Sequence, residues 1–220
     1  MASTFNAFGK TRKEWGNPSV PVWLGKVRAV PVGGSLADAD IIDGAFYAAG
    51  TPVQLDGKTI KIFRGYKVKS FAAGESTADD TIVAYAEGNI APEVGDIIQV
   101  VGATFAATGK AAAVKSVAVA DGEITITVAN AALGTPAAGD VITYSASESA
   151  GTGKAIAVIP NGYLYNDIYL DNIDVNDECA GASGAVVRYH GEGILINRTP
   201  AAIVKEQMAA AVPGVLQVNY

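Results

Sequence analysis

From about Val27 to Ile196, apolar and polar residues alternate with a period of two over short runs bounded by Gly, Pro, Asp and Asn, which predicts a chain of short β-strands. In Thr51–Ile62 a two-residue Asp56-Gly57 turn sets Val53 opposite Ile60 and Thr51 opposite Ile62, with the apolar residues on one face. Asp121-Gly122 likewise sets Val119 opposite Ile124 and Val117 opposite Ile126. One segment reads as a helix. Thr199 suits its N-cap and Pro200 its first position, Ile203, Val204, Gln207, Met208 and Ala211 share a side, and Pro213-Gly214 stops it.

An internal repeat organises the middle of the chain. Pro92-Glu93-Val94-Gly95-Asp96-Ile97-Ile98 overlies Pro136-Ala137-Ala138-Gly139-Asp140-Val141-Ile142 at an offset of 44 residues, 136 minus 92. At the same offset Thr108-Gly109-Lys110 overlies Thr152-Gly153-Lys154, and Thr81-Ile82 overlies Thr125-Ile126. Pro-x-x-Gly-Asp ahead of an apolar run predicts a tight turn feeding a strand, and Thr-Gly-Lys predicts the next turn. Two copies of one β unit must bury their apolar faces against each other, as a small sandwich or barrel with pseudo-two-fold symmetry. The expected fold is therefore mainly β. An antiparallel base domain with one C-terminal helix (26–72 and 159–220) carries an inserted duplicated module (73–158), and residues 1–25 precede both as an extended aromatic arm.

Phe5, Phe8, Trp15 and Trp23 in that arm are scattered among Gly and Pro with no helix or strand period. Large aromatics in such a segment gain free energy by docking into pockets, either on a partner or on the chain's own core. Half of the residues are hydrophobic and only 17% charged, yet every apolar run is cut within a few positions. A soluble globular protein without membrane insertion is expected. The first ten residues lack a basic opening and an apolar stretch, which predicts synthesis in a cytoplasm without export. A net charge of −6 argues against nucleic acid as partner.

Candidate chemistry is sparse. His190 is the one histidine and Cys179 the one cysteine, which excludes a multi-histidine metal site and an internal disulfide. Cys179 carries no nucleophile signature, so a Cys179–His190 dyad is outweighed by structural roles for both. Asp167, Asp171, Asp174, Asp177 and Glu178 form the densest acidic cluster, but their spacing does not match an EF-hand loop, and a solvated loop or strand edge is the better reading. Gly151-Thr152-Gly153-Lys154-Ala155 lacks the first glycine and the hydroxyl of a phosphate loop. No catalytic residue, metal or cofactor is expected.

Pro21-Val22-Trp23-Leu24-Gly25, Ala49-Gly50-Thr51-Pro52-Val53, Leu164-Tyr165-Asn166-Asp167-Ile168-Tyr169, the run from Tyr189 to Ile196, and Val212-Pro213-Gly214-Val215 resemble head fiber or capsid decoration (auxiliary capsid) proteins of tailed bacteriophages. The resemblance covers the base and not the repeat. It implies a structural virion protein rather than an enzyme, held on the outside of the head by the major capsid protein, as a homo-oligomer, commonly a trimer. With it comes an expectation that Phe5, Phe8, Trp15 and Trp23 anchor the protein while the repeat module faces solvent or a host-surface glycan. Alternatives left open are a carbohydrate-binding or adhesin-like β module and a tail-associated virion protein. Tyr85, Phe105 and Tyr144 are the only aromatic residues the repeat module offers to a sugar.

Overall fold

The computed structural model describes residues 23–24, 33–85, 90–170, 183–184, 186–188, 193–196 and 201–218. The base opens with β1 (Trp23–Leu24), β2 (Gly34–Leu36), a 3-10 turn (Asp38–Asp40), β3 (Phe46–Tyr47), β4 (Pro52–Asp56) and β5 (Thr59–Ile62). The inserted module holds β6 (Gly65–Ala72), β7 (Asp80–Tyr85), β8 (Ile97–Val100), β9 (Gly109–Ala120), β10 (Glu123–Val128), β11 (Val141–Tyr144) and β12 (Gly151–Lys154). The chain then re-enters the base with β13 (Gly162–Leu164), β14 (Ile168–Tyr169), β15 (Ser183–Gly184), β16 (Val186–Arg188), β17 (Gly193–Ile196), α1 (Ala202–Ala211) and β18 (Val215–Val218). The protein is mainly β and mainly antiparallel, with two parallel pairs among the described residues, β2–β5 and β17–β18.

In the base, six strands pair in the order β15-β2-β5-β4-β13-β16. β15 and β16 are one residue apart in sequence, so a single stretch of chain supplies both edges and the sheet closes into a small barrel. Val53, Leu55, Ile60, Ile62, Leu164, Ile168 and Val186 fill its interior. The β4–β5 hairpin differs in register from the Asp56-Gly57 turn expected above. The turn residues are Gly57-Lys58, Asp56 pairs with Thr59, and Val53 faces Ile62 rather than Ile60. A shift of two residues leaves every side chain on its original face, so the apolar pattern is satisfied by both registers, and packing against β2 and β13 selects between them.

The inserted module is a closed six-stranded antiparallel barrel in the order β10-β7-β6-β11-β8-β9, with β9 returning to β10, and β12 is appended to β9. The period of two is plain in β10, where Ile124, Ile126 and Val128 are buried and the residues between them half-buried. The β9–β10 hairpin has the expected register, Val119 to Ile124 and Val117 to Ile126, and both Asp121 and Gly122 have the positive φ that such a turn requires.

The repeat is the architecture of this barrel. The two Pro-x-x-Gly-Asp turns adopt one geometry. Gly95 and Gly139 have φ of 100° and 97°, and the carboxylates of Asp96 and Asp140 accept the backbone N–H of Glu93 and Ala137 at 2.7 and 2.8 Å. Each turn bonds to the opposite copy: Gly95 N–H donates to the Val114 carbonyl and Gly139 N–H to the Val68 carbonyl, both at 2.9 Å. The equivalence reaches further than the constant offset shows. Val68-Lys69-Ser70 in β6 and Val114-Lys115-Ser116 in β9, 46 residues apart (114 minus 68), carry the same bulge. Lys69 pairs with Glu123 and Lys115 with Asp79, two acids separated by the 44-residue offset, so each copy's lysine reaches the other copy's carboxylate. The barrel thus begins at Gly65, ahead of the polar stretch Ala72–Asp80 from which the sequence boundary was read. The expected Thr-Gly-Lys turn is found in neither copy: Gly109 and Lys110 open β9, and Thr152-Gly153-Lys154 lie in β12, where Gly153 has a φ of 71° and the register shifts.

A third apolar cluster joins the two barrels. Phe63, Val101, Phe105, Val141 and Ile156 from the inserted barrel and its connectors meet Tyr163 and the buried side of α1, Val204 and Met208, with Ala201 and Val212 at its ends. The helix begins two residues later than Thr199-Pro200 would place it. Ala201 is its N-cap, without a side-chain cap bond, and Thr199 and Pro200 lie outside the described residues. Packing against both barrels, rather than capping, sets where it starts.

Two predictions follow from these contacts. A Cβ on Gly34 would stand 2.5 Å from the Lys58 carbonyl oxygen and 2.9 Å from Ile60 Cγ1, whereas Gly57, at a φ of 61°, has open space around it. Gly34→Ala is expected to cost about 3 kcal/mol in urea denaturation against about 1 for Gly57→Ala, and equal costs would contradict the close approach. Gln99 is fully buried and neither its amide nitrogen nor its oxygen has a partner. Gln99→Met should therefore raise stability by about 1–2 kcal/mol, and a loss on the same assay would mean the amide is satisfied.

Candidate functional site

The two connectors between base and barrel, Phe63-Arg64 and Ala155–Asn161, run side by side, and next to them lies a cleft of about 840 Å³. Its floor is an ion pair that the sequence pattern does not single out. Arg64 Nη2 stands 2.5 Å from Asp40 Oδ1, with both side chains largely buried. The short 3-10 turn after β2 aims Asp40 inward, and Arg64 follows directly on the apolar run of β5.

Every group around this pair is tied down. Asp40 Oδ2 accepts the Ile62 N–H at 2.8 Å, its backbone carbonyl accepts the Tyr47 hydroxyl at 2.8 Å, and Arg64 Nη2 also donates to the Ala39 carbonyl at 2.6 Å. The guanidinium lies 5.5 Å from the centre of the Tyr144 ring, Tyr144 shares a hydroxyl contact with Tyr66 at 3.3 Å, and Thr143 Oγ1 donates to the Arg64 carbonyl at 2.8 Å. Base residues (Asp40, Tyr47) and barrel residues (Tyr66, Thr143, Tyr144) therefore converge on Arg64. Its Nε is buried without a partner.

The electrostatics follow from this geometry. Burial lifts the Asp40 carboxyl above its ordinary value, and the Ile62 N–H and Arg64 offset only part of that. Burial also works against the Arg64 charge, but the Asp40 carboxylate outweighs it and the guanidinium is held more firmly protonated than usual. Burial pushes the Tyr47 hydroxyl up to about 12, so it donates at any physiological pH.

Above this floor the cleft carries Asp43, Glu93, Asp96 and Lys61, with Ile42, Ile90 and Val158 as apolar wall. Four carboxylates face two cations, which leaves the lining net negative. Glu93 is exposed, and its backbone N–H and carbonyl are both bonded to Asp96. No cluster of ligating side chains suited to a metal ion occurs among the described residues.

The residues singled out in the sequence lie elsewhere. Phe5, Phe8 and Trp15 are outside the described residues, as are Cys179, His190, Asp171, Asp174, Asp177 and Glu178. Trp23 is in β1, paired with Leu195 of β17. Asp167 is exposed and structural: Oδ1 accepts the Ala49 N–H at 2.7 Å and Oδ2 the Tyr169 hydroxyl at 3.2 Å. Among the barrel aromatics, Phe105 is buried edge-on against Phe63, Tyr85 is exposed on β7, and only Tyr144 reaches the cleft. A lone arginine in the apolar run Ile60–Tyr66 was the one signal that could have pointed to the junction.

The chain matches no protein-family model, no curated protein and no solved structure.

The pair can be tested through its linkage to pH. A carboxyl whose folded pKa is raised holds its proton better in the folded than in the unfolded state, so its contribution to stability falls as pH rises from about 4 through the raised value. Arg64→Met leaves Asp40 buried without its cation and should cost about 3–5 kcal/mol at pH 7, part of it recovered by pH 5. Denaturant titrations of both chains at the two pH values read this, and a deficit that grows on acidification contradicts it.

Proposed function

We propose that this chain is a structural protein of a bacteriophage particle, held on the outside of the capsid as a decoration or head fiber protein, where it stabilises the head or contacts the host surface. The major capsid protein is the partner, the working form is a homo-oligomer with a trimer favoured, and no catalysis is involved. The observation that carries this reading is where the head-protein motifs sit. Ala49–Val53 and Leu164–Tyr169, more than a hundred residues apart, bond to each other: Gly50 N–H to the Leu164 carbonyl at 2.7 Å, Leu164 N–H to the Thr51 carbonyl at 2.9 Å, and Ala49 N–H to Asp167 Oδ1 at 2.7 Å. The other three motifs share one small sheet, where Trp23 and Leu24 pair with Leu195 and Ile194, and Gly193 with Val215. All five thus belong to the base, two at its barrel and three in the separate β1-β17-β18 sheet, and none lies in the inserted barrel. Such a division suits a base that attaches and a module that projects.

On this reading the aromatics ahead of β1 are the attachment points, where buried Trp and Phe supply most of an interface's energy. Capsids of the source phage lacking this protein should retain the full chain on co-sedimentation, and Phe5, Phe8 and Trp15 changed together to Ala should weaken retention at least about tenfold. Undiminished retention of that variant would sink the anchoring role. A monomer in solution that is absent from purified virions would overturn the whole reading.

A further inference from the structure

We infer that the cleft between the base and the inserted barrel binds a neutral saccharide. The inference concerns the isolated chain and stands whether or not the protein is carried on a virion. At about 840 Å³ the cleft falls within the range of sites that enclose small ligands, and it lies where two modules meet, a common location for them. Its floor is preorganised, because Asp40 is held by the Ile62 N–H and Arg64, and Arg64 in turn lies against Tyr144 of the inserted barrel and has its carbonyl bonded by Thr143.

The lining selects the ligand's chemistry. Carboxylates outnumber cations four to two, which repels phosphates and acidic sugars. Among the described residues nothing is arranged to hold a metal ion, so a cation-bridged ligand has no foothold. Glu93 offers a carboxylate in solvent reach with no side-chain partner, the strongest neutral-ligand acceptor in the cleft. Ile90 and Val158, half-buried and apolar, line the same space. A sugar ring presents both complements at once, hydroxyls that donate to a carboxylate and a C–H face that sheds water against aliphatic side chains. A single such site gives affinities on the order of millimolar, and several copies on one particle multiply it by avidity.

Saturation-transfer NMR on the full chain tests this, with galactose, N-acetylglucosamine and lactose as neutral probes and N-acetylneuraminic acid as the anionic one. At least one neutral probe should saturate in the millimolar range, with the acidic sugar bound about tenfold more weakly or not at all. Glu93→Gln, which keeps the backbone N–H that Asp96 holds, should weaken the neutral probe about tenfold. Ala146→Trp, at an exposed position on the cleft, should block it while the melting temperature stays unchanged. No neutral probe bound at tens of millimolar, equal binding of the acidic sugar, or wild-type binding by both variants would overturn the inference.

Discussion

Neither copy of the repeated β unit can complete a sheet alone. In the first copy, β6 and β7 pair with each other, but β8 finds its neighbours in β9 and β11 of the second, and β11 in turn closes onto β6 of the first. Four strand pairings (β7–β10, β8–β9, β8–β11 and β6–β11), the two turn hydrogen bonds and the reciprocal pairs Lys69–Glu123 and Lys115–Asp79 all cross from one copy to the other. An edge strand left unpaired is both costly and open to association, and exchange between the copies removes that edge. The rest of the chain is built around the consequence, a rigid barrel whose outer face on β8 and β11 is free to pack against something else.

What it packs against is the base. Phe63, Phe105, Val141 and Tyr163 bury the contact together with α1, so the only regular helix among the described residues acts as a wedge between two barrels. On the other side of the same junction sits the Asp40–Arg64 pair. Taking two charges out of water costs more than their attraction returns unless further hydrogen bonds share the load, and here the Ile62 N–H donates to the carboxylate and the Ala39 carbonyl accepts from the guanidinium, while the Tyr47 and Thr143 hydroxyls hold the backbone carbonyls of Asp40 and Arg64. A buried pair of this kind adds little net stability but permits one arrangement of its surroundings, which at this place means one orientation of barrel relative to base.

That fixed orientation connects the structural reading to the binding one. A projecting module serves a particle surface best when its angle is set, and a cleft between two modules keeps its shape only when they do not swing. Arg64 bears on both, since it ends the connector that leads from β5 to β6 and forms the cleft floor.

By itself the sequence determined the fold class, the two-fold repeat, the Asp121-Gly122 hairpin and the approximate extent of the helix, because alternation, turn chemistry and a constant offset are local properties of a chain. It left open the register of the Asp56-Gly57 hairpin, since slips by two residues keep Val53, Ile60 and Ile62 on one face and only neighbouring strands discriminate between them. The first strand of the repeat escaped notice because two extra residues shift Val68-Lys69-Ser70 off the common offset, and the lysines it aligns are recognisable only by the carboxylates they reach. Tertiary structure alone decided the cleft. Asp40, Arg64 and Tyr144 are separated by 24 and 80 residues along the chain, and a buried charge acquires its partner only when the barrels that carry the two halves have closed and met.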